Sequence, residues 1–362
     1  MVIKMSERLV KLRELMKEKG FDALYATSPE AHLYLSGYAN PDGCLLVSAE
    51  GAAFAFEDFR YIEAAKREIN GDDFTVIMPE GPLKSWLGEG IAAVGARVVA
   101  YEDATLSCRA LETLRKEFPA IEFVPAGDII CSLRVFKDEG EVECIVKAQR
   151  IAEKSFEELL PLITYDCTET FVAAQLEFLM RKNGSEGASF DTIAVSGSNS
   201  SSPHGVPRNV KLEKGFLTLD FGAMIGGYHS DMTRTVVIGK ADEKMKHLYN
   251  TVLDAQMAVL EVISEGESCF KMDKIARDII YGRGYEGAFG HGLGHGVGLE
   301  IHEAPNLSPR SGDRKLIAGD IVTVEPGIYL EGQYGCRIED MVHITKGGAR
   351  NLTECRKELI EI

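Results

Sequence analysis

The chain has 362 residues, of which 45% are hydrophobic, and its formal net charge is −16. This length is enough for two domains with sizeable cores, and the composition is that of a folded globular protein. The acidic balance argues against nucleic acid or a membrane surface as a partner. No apolar run reaches the length of a membrane span, the N-terminus lacks a signal-peptide pattern, and the eight cysteines form no C-x-x-C pair. These features are typical of a cytoplasmic protein with free thiols.

Residues 1–132 alternate predicted helices with predicted strands. Leu9, Leu12, Leu15 and Met16 fall on one face of the first helix. Further helices are expected near 61–69, 82–94 and 106–117, and strands in DALYAT, GCLLVSAE, AAFAFED, RVVAYE and IEFVP. This alternation predicts a compact α/β domain with a mixed sheet.

Residues 133–362 have a different character. Helices are predicted at 138–162, 168–182, 242–263 and 271–281, whereas the segments beyond residue 189 are otherwise short strands and glycine-rich turns. The pattern predicts an α+β domain with an antiparallel sheet, and it contains no evident sequence repeat.

Five side chains of this second part could bind metal ions, and each lies in a predicted short strand or tight turn: Asp220, Asp231, His295, Glu325 and Glu339. Four carboxylates and one imidazole are too many for a single zinc ion with a water. They suit two divalent ions that share bridging oxygens, which is a hydrolytic arrangement. The ligand set therefore predicts an enzyme.

The first two carboxylates lie on a predicted hairpin. If its turn is centred near Ile225, Asp220 and Asp231 become cross-strand neighbours with Cβ atoms about 5 Å apart. Buried carboxylates at that distance repel each other, and a cation would explain the pair. Considered alone, two solvated aspartates near a hairpin tip explain the pattern equally well.

The segment GHGLGHGVGLEIHEAP carries His291, His295 and His302. Its alternating glycines exclude an ordinary helix, so the H-x-x-x-H spacing is not that of a helical zinc protease. We expect glycine here to allow close approach of the backbone to a bound group. Oxygen-rich ligation with one imidazole favours Mn²⁺, Co²⁺ or Fe²⁺, with Zn²⁺ as a further alternative.

Several strings together resemble the pita-bread metallopeptidases, specifically the aminopeptidase P and prolidase branch: LDFGAMIGGYHSDMTRT, HGLGHGVGLEIHEAP, TVEPGIY and GCRIED. The N-terminal strings SERLVKLRELMKEKGFDAL and EDFRYIEAA are similar to the N-terminal domain of the same branch. The resemblance implies a pita-bread catalytic domain over 133–362, an N-terminal creatinase/prolidase-like domain over 1–132, and a homodimer.

The resemblance also implies a role for each matching residue. Asp220 would bind one metal ion, Asp231 and Glu339 would bridge, and His295 and Glu325 would complete the second. Glu325 would also move the proton to the leaving nitrogen. His204 and His302 would hydrogen-bond the scissile carbonyl, and His291 would line the substrate pocket. Arg337 and Thr233 would hold the bridging carboxylates.

The substrates implied are peptides with proline at the second position, cleaved at the Xaa-Pro bond. Asn306 stands where several prolidases carry an arginine for the dipeptide carboxylate. We therefore predict an Xaa-Pro aminopeptidase with two divalent ions, most simply Mn²⁺, and keep the Xaa-Pro dipeptidase (prolidase) as the alternative. Three other interpretations are a methionine aminopeptidase, a metal-free creatinase-like hydrolase and a non-catalytic binding module on the same fold.

Overall fold

The structure is a computed structural model that describes residues 5–362 and divides into two compact units after Arg134. The predicted domain boundary, at residues 132 and 133, lies two residues before this division. None of the helices among residues 5–362 has the length and apolar character needed to cross a membrane.

The first unit contains a six-stranded mixed sheet. Its helices are α1 (Met5–Lys19), α2 (Pro29–Ser36), α3 (Ile62–Glu68), α4 (Leu83–Val94), α5 (Cys108–Glu117) and α6 (Ile129–Arg134). Its strands are β1 (Ala23–Ala26), β2 (Cys44–Ser48), β3 (Ala53–Phe56), β4 (Thr75–Ile77), β5 (Val98–Tyr101) and β6 (Glu122–Pro125). The strand order is β4-β3-β2-β1-β5-β6, with β1 antiparallel to β2 and parallel to β5. The predicted α/β character and mixed sheet are confirmed.

The second unit combines four long helices with antiparallel sheets. Its helices are α7 (Glu139–Leu159), α8 (Glu169–Lys182), α9 (Glu243–Leu260) and α10 (Cys269–Gly282). Its strands are β7 (Ile193–Ser196), β8 (Gly215–Phe221), β9 (Met224–Ile225), β10 (Tyr228–His229), β11 (Met232–Ile238), β12 (Gly294–Gly296), β13 (Glu303–Leu307), β14 (Ile321–Val324), β15 (Gly327–Leu330), β16 (Tyr334–Arg337), β17 (Asp340–Thr345) and β18 (Gly348–Asn351). The main sheets have the orders β11-β8-β7 and β13-β12-β14-β17-β18. The predicted α+β class with antiparallel pairing is confirmed.

The second unit is built from two similar halves. The secondary structure of residues 163–185 recurs in residues 263–285, one hundred positions later. Thr168 caps α8 and Ser268 caps α10, and each cap residue also forms an isolated bridge with a lysine, Lys211 or Lys315. The α7–α8 pair and the α9–α10 pair pack in separate cores, and the second core also contains Phe216 and Val237 of the three-stranded sheet. The sequence analysis found no evident sequence repeat, and the feature that repeats in the structure is the placement of caps and helices.

The hairpin that carries the first two carboxylates turns at Gly226 and Gly227, one residue later than predicted. Asp220 consequently pairs with Thr233, and Asp231 becomes its diagonal neighbour. A side chain at Gly222 could not be accommodated, since a Cβ there would lie 1.8 Å from the carbonyl oxygen of Ser230. This close approach brings the two carboxylate-bearing strand ends together.

Candidate metal centre and active site

Four strand ends bring carboxylates to one cavity of about 1260 Å³ in the second unit. Asp220 lies near the end of β8, and Asp231 immediately precedes β11. In the other half, Glu325 follows β14 and Glu339 precedes β17. The hairpins of the two halves thus present equivalent pairs of acidic side chains to the same space.

His295 lies on β12 with its ring directed at these carboxylates. Its Nδ1–H donates to the carbonyl oxygen of Gly296 at 3.0 Å, which leaves Nε2 with an acceptor lone pair. Nε2 is 3.5 Å from both Asp231 Oδ2 and Glu325 Oε1. Burial lowers the pKa of His295 to about 4, so the ring is neutral at pH 7. A neutral nitrogen lone pair and carboxylate oxygens that face each other can coordinate the same cation.

The local electrostatics also favour a cation. Burial raises the pKa of Asp231 and of Glu339 well above the usual carboxyl range, and the neighbouring carboxylates raise both further. Burial likewise raises the pKa of Glu325 to about 8, although Arg337 opposes the shift. Without added positive charge, these groups therefore resist ionisation at neutral pH.

Two further observations show that the donor set fits divalent ions. Ligand atoms of Asp231, His295 and Glu339 all lie within 4.8 Å of one another. The buried Oδ1 of Asp220 has no hydrogen-bond partner among the described residues. An unsatisfied buried carboxylate oxygen is costly unless it coordinates a cation. Oxygen atoms with one imidazole are suitable ligands for Mn²⁺ and similar ions.

Arg337 and Thr233 connect the carboxylates behind the cavity. Arg337 Nη2 donates to Asp220 Oδ2 at 2.5 Å, and its Nε donates to Thr233 Oγ1 at 3.0 Å. Thr233 Oγ1 in turn donates to Glu339 Oε2 at 2.7 Å. The expectation that Arg337 holds the bridging carboxylates therefore needs a correction, because its ion pair is with Asp220 and it reaches Glu339 only through Thr233.

The three other predicted histidines line the same cavity. The ring centroid of His302 is 4.3 Å from that of His295. His291 donates from Nδ1 to the carbonyl oxygen of Gly292 at 2.8 Å, and burial lowers its pKa to about 4. His204 is exposed on a loop at the cavity wall. Nine of the ten predicted site residues thus line one cavity, and Thr233 lies buried behind it.

Tyr329 is a site residue that the sequence analysis missed. Its hydroxyl accepts a hydrogen bond from Arg337 Nη1 at 2.6 Å and donates to His291 Nε2 at 3.0 Å. It therefore joins the histidine of the pocket to the arginine that pairs with Asp220. In the sequence, Tyr329 stands in the apolar strand GIYL, a pattern that indicates only a core position.

The glycine-rich segment that precedes His295 has a structural explanation. A Cβ at Gly294 would lie 2.1 Å from the carbonyl oxygen of Thr323 on the neighbouring strand. Gly294 also lines the cavity, so the expected close approach of its backbone to a bound group stays a prediction. Absence of a side chain lets β12 pack against β14 and places His295 over the carboxylates.

Comparison with known families matches both parts of the chain. The profile of metallopeptidase family M24 matches residues 143–346, and the creatinase/prolidase N-terminal domain matches residues 8–136. The chain belongs to metallopeptidase family M24. It is accordingly a hydrolase with a pita-bread catalytic domain and an N-terminal creatinase/prolidase domain, and the family implies divalent metal ions.

The similar proteins match nearly the whole length of this chain. An Xaa-Pro dipeptidase of Pyrococcus horikoshii is 39% identical, covering 98% of this chain and 99% of its own length. The solved structure of an Xaa-Pro dipeptidase from Bacillus anthracis has a TM-score of 0.94 at 37% identity, covering 99% and 100% of the two chains. An X-Pro aminopeptidase from Thermotoga maritima has a TM-score of 0.89 at 35% identity, covering 95% and 98%.

These findings confirm the predicted family, fold and enzyme class. Between the two predicted activities, they favour the alternative, the dipeptidase, over the aminopeptidase. The match to the creatinase/prolidase N-terminal domain agrees with the predicted aminopeptidase P and prolidase branch.

Proposed function

We propose that the protein is an Xaa-Pro dipeptidase that uses two divalent ions. The ligands would be Asp220, Asp231, His295, Glu325 and Glu339. The observation that carries the proposal is the neutral Nε2 of His295, which faces the buried carboxylate of Asp231 and the partly buried carboxylate of Glu325 next to an unpartnered oxygen of Asp220. No group of the described residues other than Arg337 adds a positive charge by ion-pairing with these carboxylates, so metal ions supply the missing charge.

The dipeptidase is favoured by its relatives, and the cavity removes the argument against it. Asn306 takes the place of a carboxylate-binding arginine, but Arg310 and Arg314 line the same cavity as Asn306. A guanidinium at this wall can bind the free carboxylate of a dipeptide. The Xaa-Pro aminopeptidase is the second candidate, since the Thermotoga maritima structure of that name is similar along the whole chain.

The side chains around the cavity have separate tasks in this proposal. When bound, the ions supply Lewis acidity and a nucleophile at neutral pH. His204 and His302 donate hydrogen bonds to the carbonyl oxygen of the scissile bond as negative charge develops there. Glu325 carries a proton to the proline nitrogen, which as a tertiary amide has no hydrogen of its own. Arg337 and Thr233 hold Asp220 and Glu339 in place, and His291 shapes the pocket.

The remaining attributes follow the same proposal. We assign Mn²⁺ as the working metal, ahead of Co²⁺, Zn²⁺ and Fe²⁺, because oxygen ligands predominate. We place the enzyme in the cytoplasm, in line with eight cysteines that are all free thiols. A homodimer is proposed from the family resemblance, with peptides as substrates and no nucleic-acid or membrane partner.

Parallel hydrolysis of Gly-Pro, Ala-Pro and Ala-Pro-Ala tests the activity. With Mn²⁺ bound, the protein is expected to cleave the dipeptides at least about 10-fold more efficiently than the tripeptide, a difference of about 1.4 kcal/mol in transition-state binding. Mass spectrometry of the products, with Co²⁺- and Zn²⁺-loaded samples in parallel, provides the measurement. Preference for Ala-Pro-Ala would establish the aminopeptidase instead, and absence of cleavage while a reference prolidase is active would refute both.

A further inference from the structure

The loop of residues 197–209, here called the His204 loop, begins after β7 and carries His204 to the cavity. The imidazole of His204 itself makes no hydrogen bond to the part of the chain that the structure describes. Its position therefore depends on how the loop backbone is held. Two contacts hold the middle of the loop: Arg337 Nη1 donates to the carbonyl oxygen of Pro203 at 3.2 Å, and Gly335 N donates to Ser200 Oγ at 2.9 Å.

The two ends of the loop meet at one buried carboxylate, Glu169, the first residue of α8. Glu169 Oε1 accepts from Ser196 N at 2.8 Å, Ser196 Oγ at 2.9 Å and Arg208 Nη2 at 3.1 Å. Oε2 accepts from Asn199 Nδ2 at 3.0 Å, Arg208 N at 2.9 Å and Arg208 Nε at 3.0 Å. A carboxylate offers about four lone-pair directions, so these six donors saturate both oxygens.

This arrangement has more than a capping purpose. A glutamate in the first turn of a helix needs only its own helix to be favourable there. Here the donors are up to 39 residues away in the chain. They belong to Ser196, directly before the His204 loop, and to Asn199 and Arg208 within it. The charge of Glu169 is buried, and it is matched by the guanidinium of Arg208. Loss of that charge would leave donors of the loop unpaired and release both ends together.

We propose that Glu169 is a positioning residue for hydrolysis, which fixes the His204 loop so that His204 meets the scissile carbonyl oxygen. This inference rests on the proposed function for its catalytic consequence. Displacement of a reacting or stabilising group by about 1 Å can lower a rate by about 100-fold, so a released loop has a kinetic effect even when the fold is intact.

A double-mutant cycle with His204 tests the inference. Glu169→Gln is expected to lower kcat/KM for the best Xaa-Pro substrate by about 10- to 100-fold, mainly through kcat. In a His204→Ala background, the same substitution is expected to lower it by less than about twofold, because the positioned group is already absent. Equal losses in both backgrounds, or no loss in either, would overturn the proposal.

Glu141→Gln is the matched control. Glu141 is likewise buried in the first turn of a helix, α7, and accepts a hydrogen bond from Tyr228 Oη at 2.8 Å. Any loss caused by Glu141→Gln should be the same with and without His204. If Glu141→Gln and Glu169→Gln showed the same coupling with His204→Ala, the effect would be a general structural one and the proposal would be overturned.

Limited trypsin digestion tests, independently of enzymatic activity, whether Glu169 holds the His204 loop. Arg208 is the only lysine or arginine of the His204 loop. Glu169→Gln is expected to open a cut between Arg208 and Asn209, identified by intact-mass spectrometry, which the wild type and Glu141→Gln resist. Equal cutting of the wild type and Glu169→Gln would show that Glu169 does not hold the His204 loop. Failure of the wild type to hydrolyse Xaa-Pro bonds would refute only the proposed function.

If Glu169→Gln does not fold, a milder substitution provides the same test. Asn199→Ala removes one hydrogen bond to Glu169 and another to the carbonyl oxygen of Val206, while it keeps the Arg208 ion pair and the trypsin site. The same two readouts should move in the same direction, with a fall in kcat/KM of about 3- to 10-fold. An unchanged kcat/KM together with an unchanged digestion rate would contradict the proposal.

Discussion

Glu339→Gln is expected to lower kcat/KM for Xaa-Pro dipeptides by about 10³-fold or more while it stabilises the metal-free protein. Metal ions contribute several kcal/mol to transition-state stabilisation, and each 1.36 kcal/mol corresponds to a tenfold change in rate. In the proposed two-ion site Glu339 would bridge the ions, and an amide at this position could not bridge them as a carboxylate does. Its carbonyl oxygen can still accept the hydrogen bond from Thr233 Oγ1, so the local geometry is retained.

The two effects of Glu339→Gln have opposite signs for a single reason. In the metal-free protein, Glu339 must either be ionised beside Asp231 and the other carboxylates or take up a proton on folding. Either state costs folding free energy, which a neutral glutamine avoids. Urea unfolding in the presence of a chelator, combined with steady-state kinetics after metal loading, measures both. Glu153→Gln, a partly buried glutamate outside the cavity, is the control and should keep activity within about twofold. Full activity of Glu339→Gln, or a less stable metal-free variant, would contradict the metal centre.

Chelated wild-type protein is expected to lose about 2 kcal/mol of its unfolding free energy between pH 6.5 and pH 8. The pKa of Glu325 is raised from 4.5 to about 8 by burial, and those of Asp231 and Glu339 are raised in the same direction. The folded state therefore binds more protons than the unfolded state in this window, and stability falls as the pH rises. Below pH 6.5, His295 contributes the opposite slope because its pKa is lowered to about 4 on folding.

Urea unfolding at several pH values, with chelated and Mn²⁺-loaded samples side by side, checks this dependence. Bound divalent ions keep the carboxylates ionised, so the loaded protein should show no fall in stability over the same window. A chelated protein whose stability is constant or rises from pH 6.5 to pH 8 would show that the carboxylates are not clustered as described.

The sequence predicted the residues of the site better than their arrangement. The ligand-bearing strings are short and distinctive, so all five candidate ligands were identified before any fold was known. The predicted hairpin register was wrong because the string AMIGG allows several turn positions. Within this string, only Gly226 and Gly227 adopt positive φ. One residue of displacement at the turn moved the partner of Asp220 from Asp231 to Thr233.

Contacts between distant segments account for what the sequence could not give. Tyr329 has the pattern of a core residue, and its hydrogen bonds to His291 and Arg337 depend on three segments meeting. The two halves of the second unit share caps and helix positions but few residue identities, so their relation emerges only in the fold. Glu169 similarly has the sequence pattern of a glutamate at the start of a helix. Its hydrogen bonds to both sides of the His204 loop are apparent only in the structure.

Anomalous diffraction from crystals of the Mn²⁺-loaded protein is the most direct test of the two-ion centre. We expect two peaks per chain, roughly 3.5–4 Å apart, with Asp231 and Glu339 bound to both ions and His295 Nε2 bound to one. A single peak, or peaks away from Asp220, Asp231, His295, Glu325 and Glu339, would contradict it.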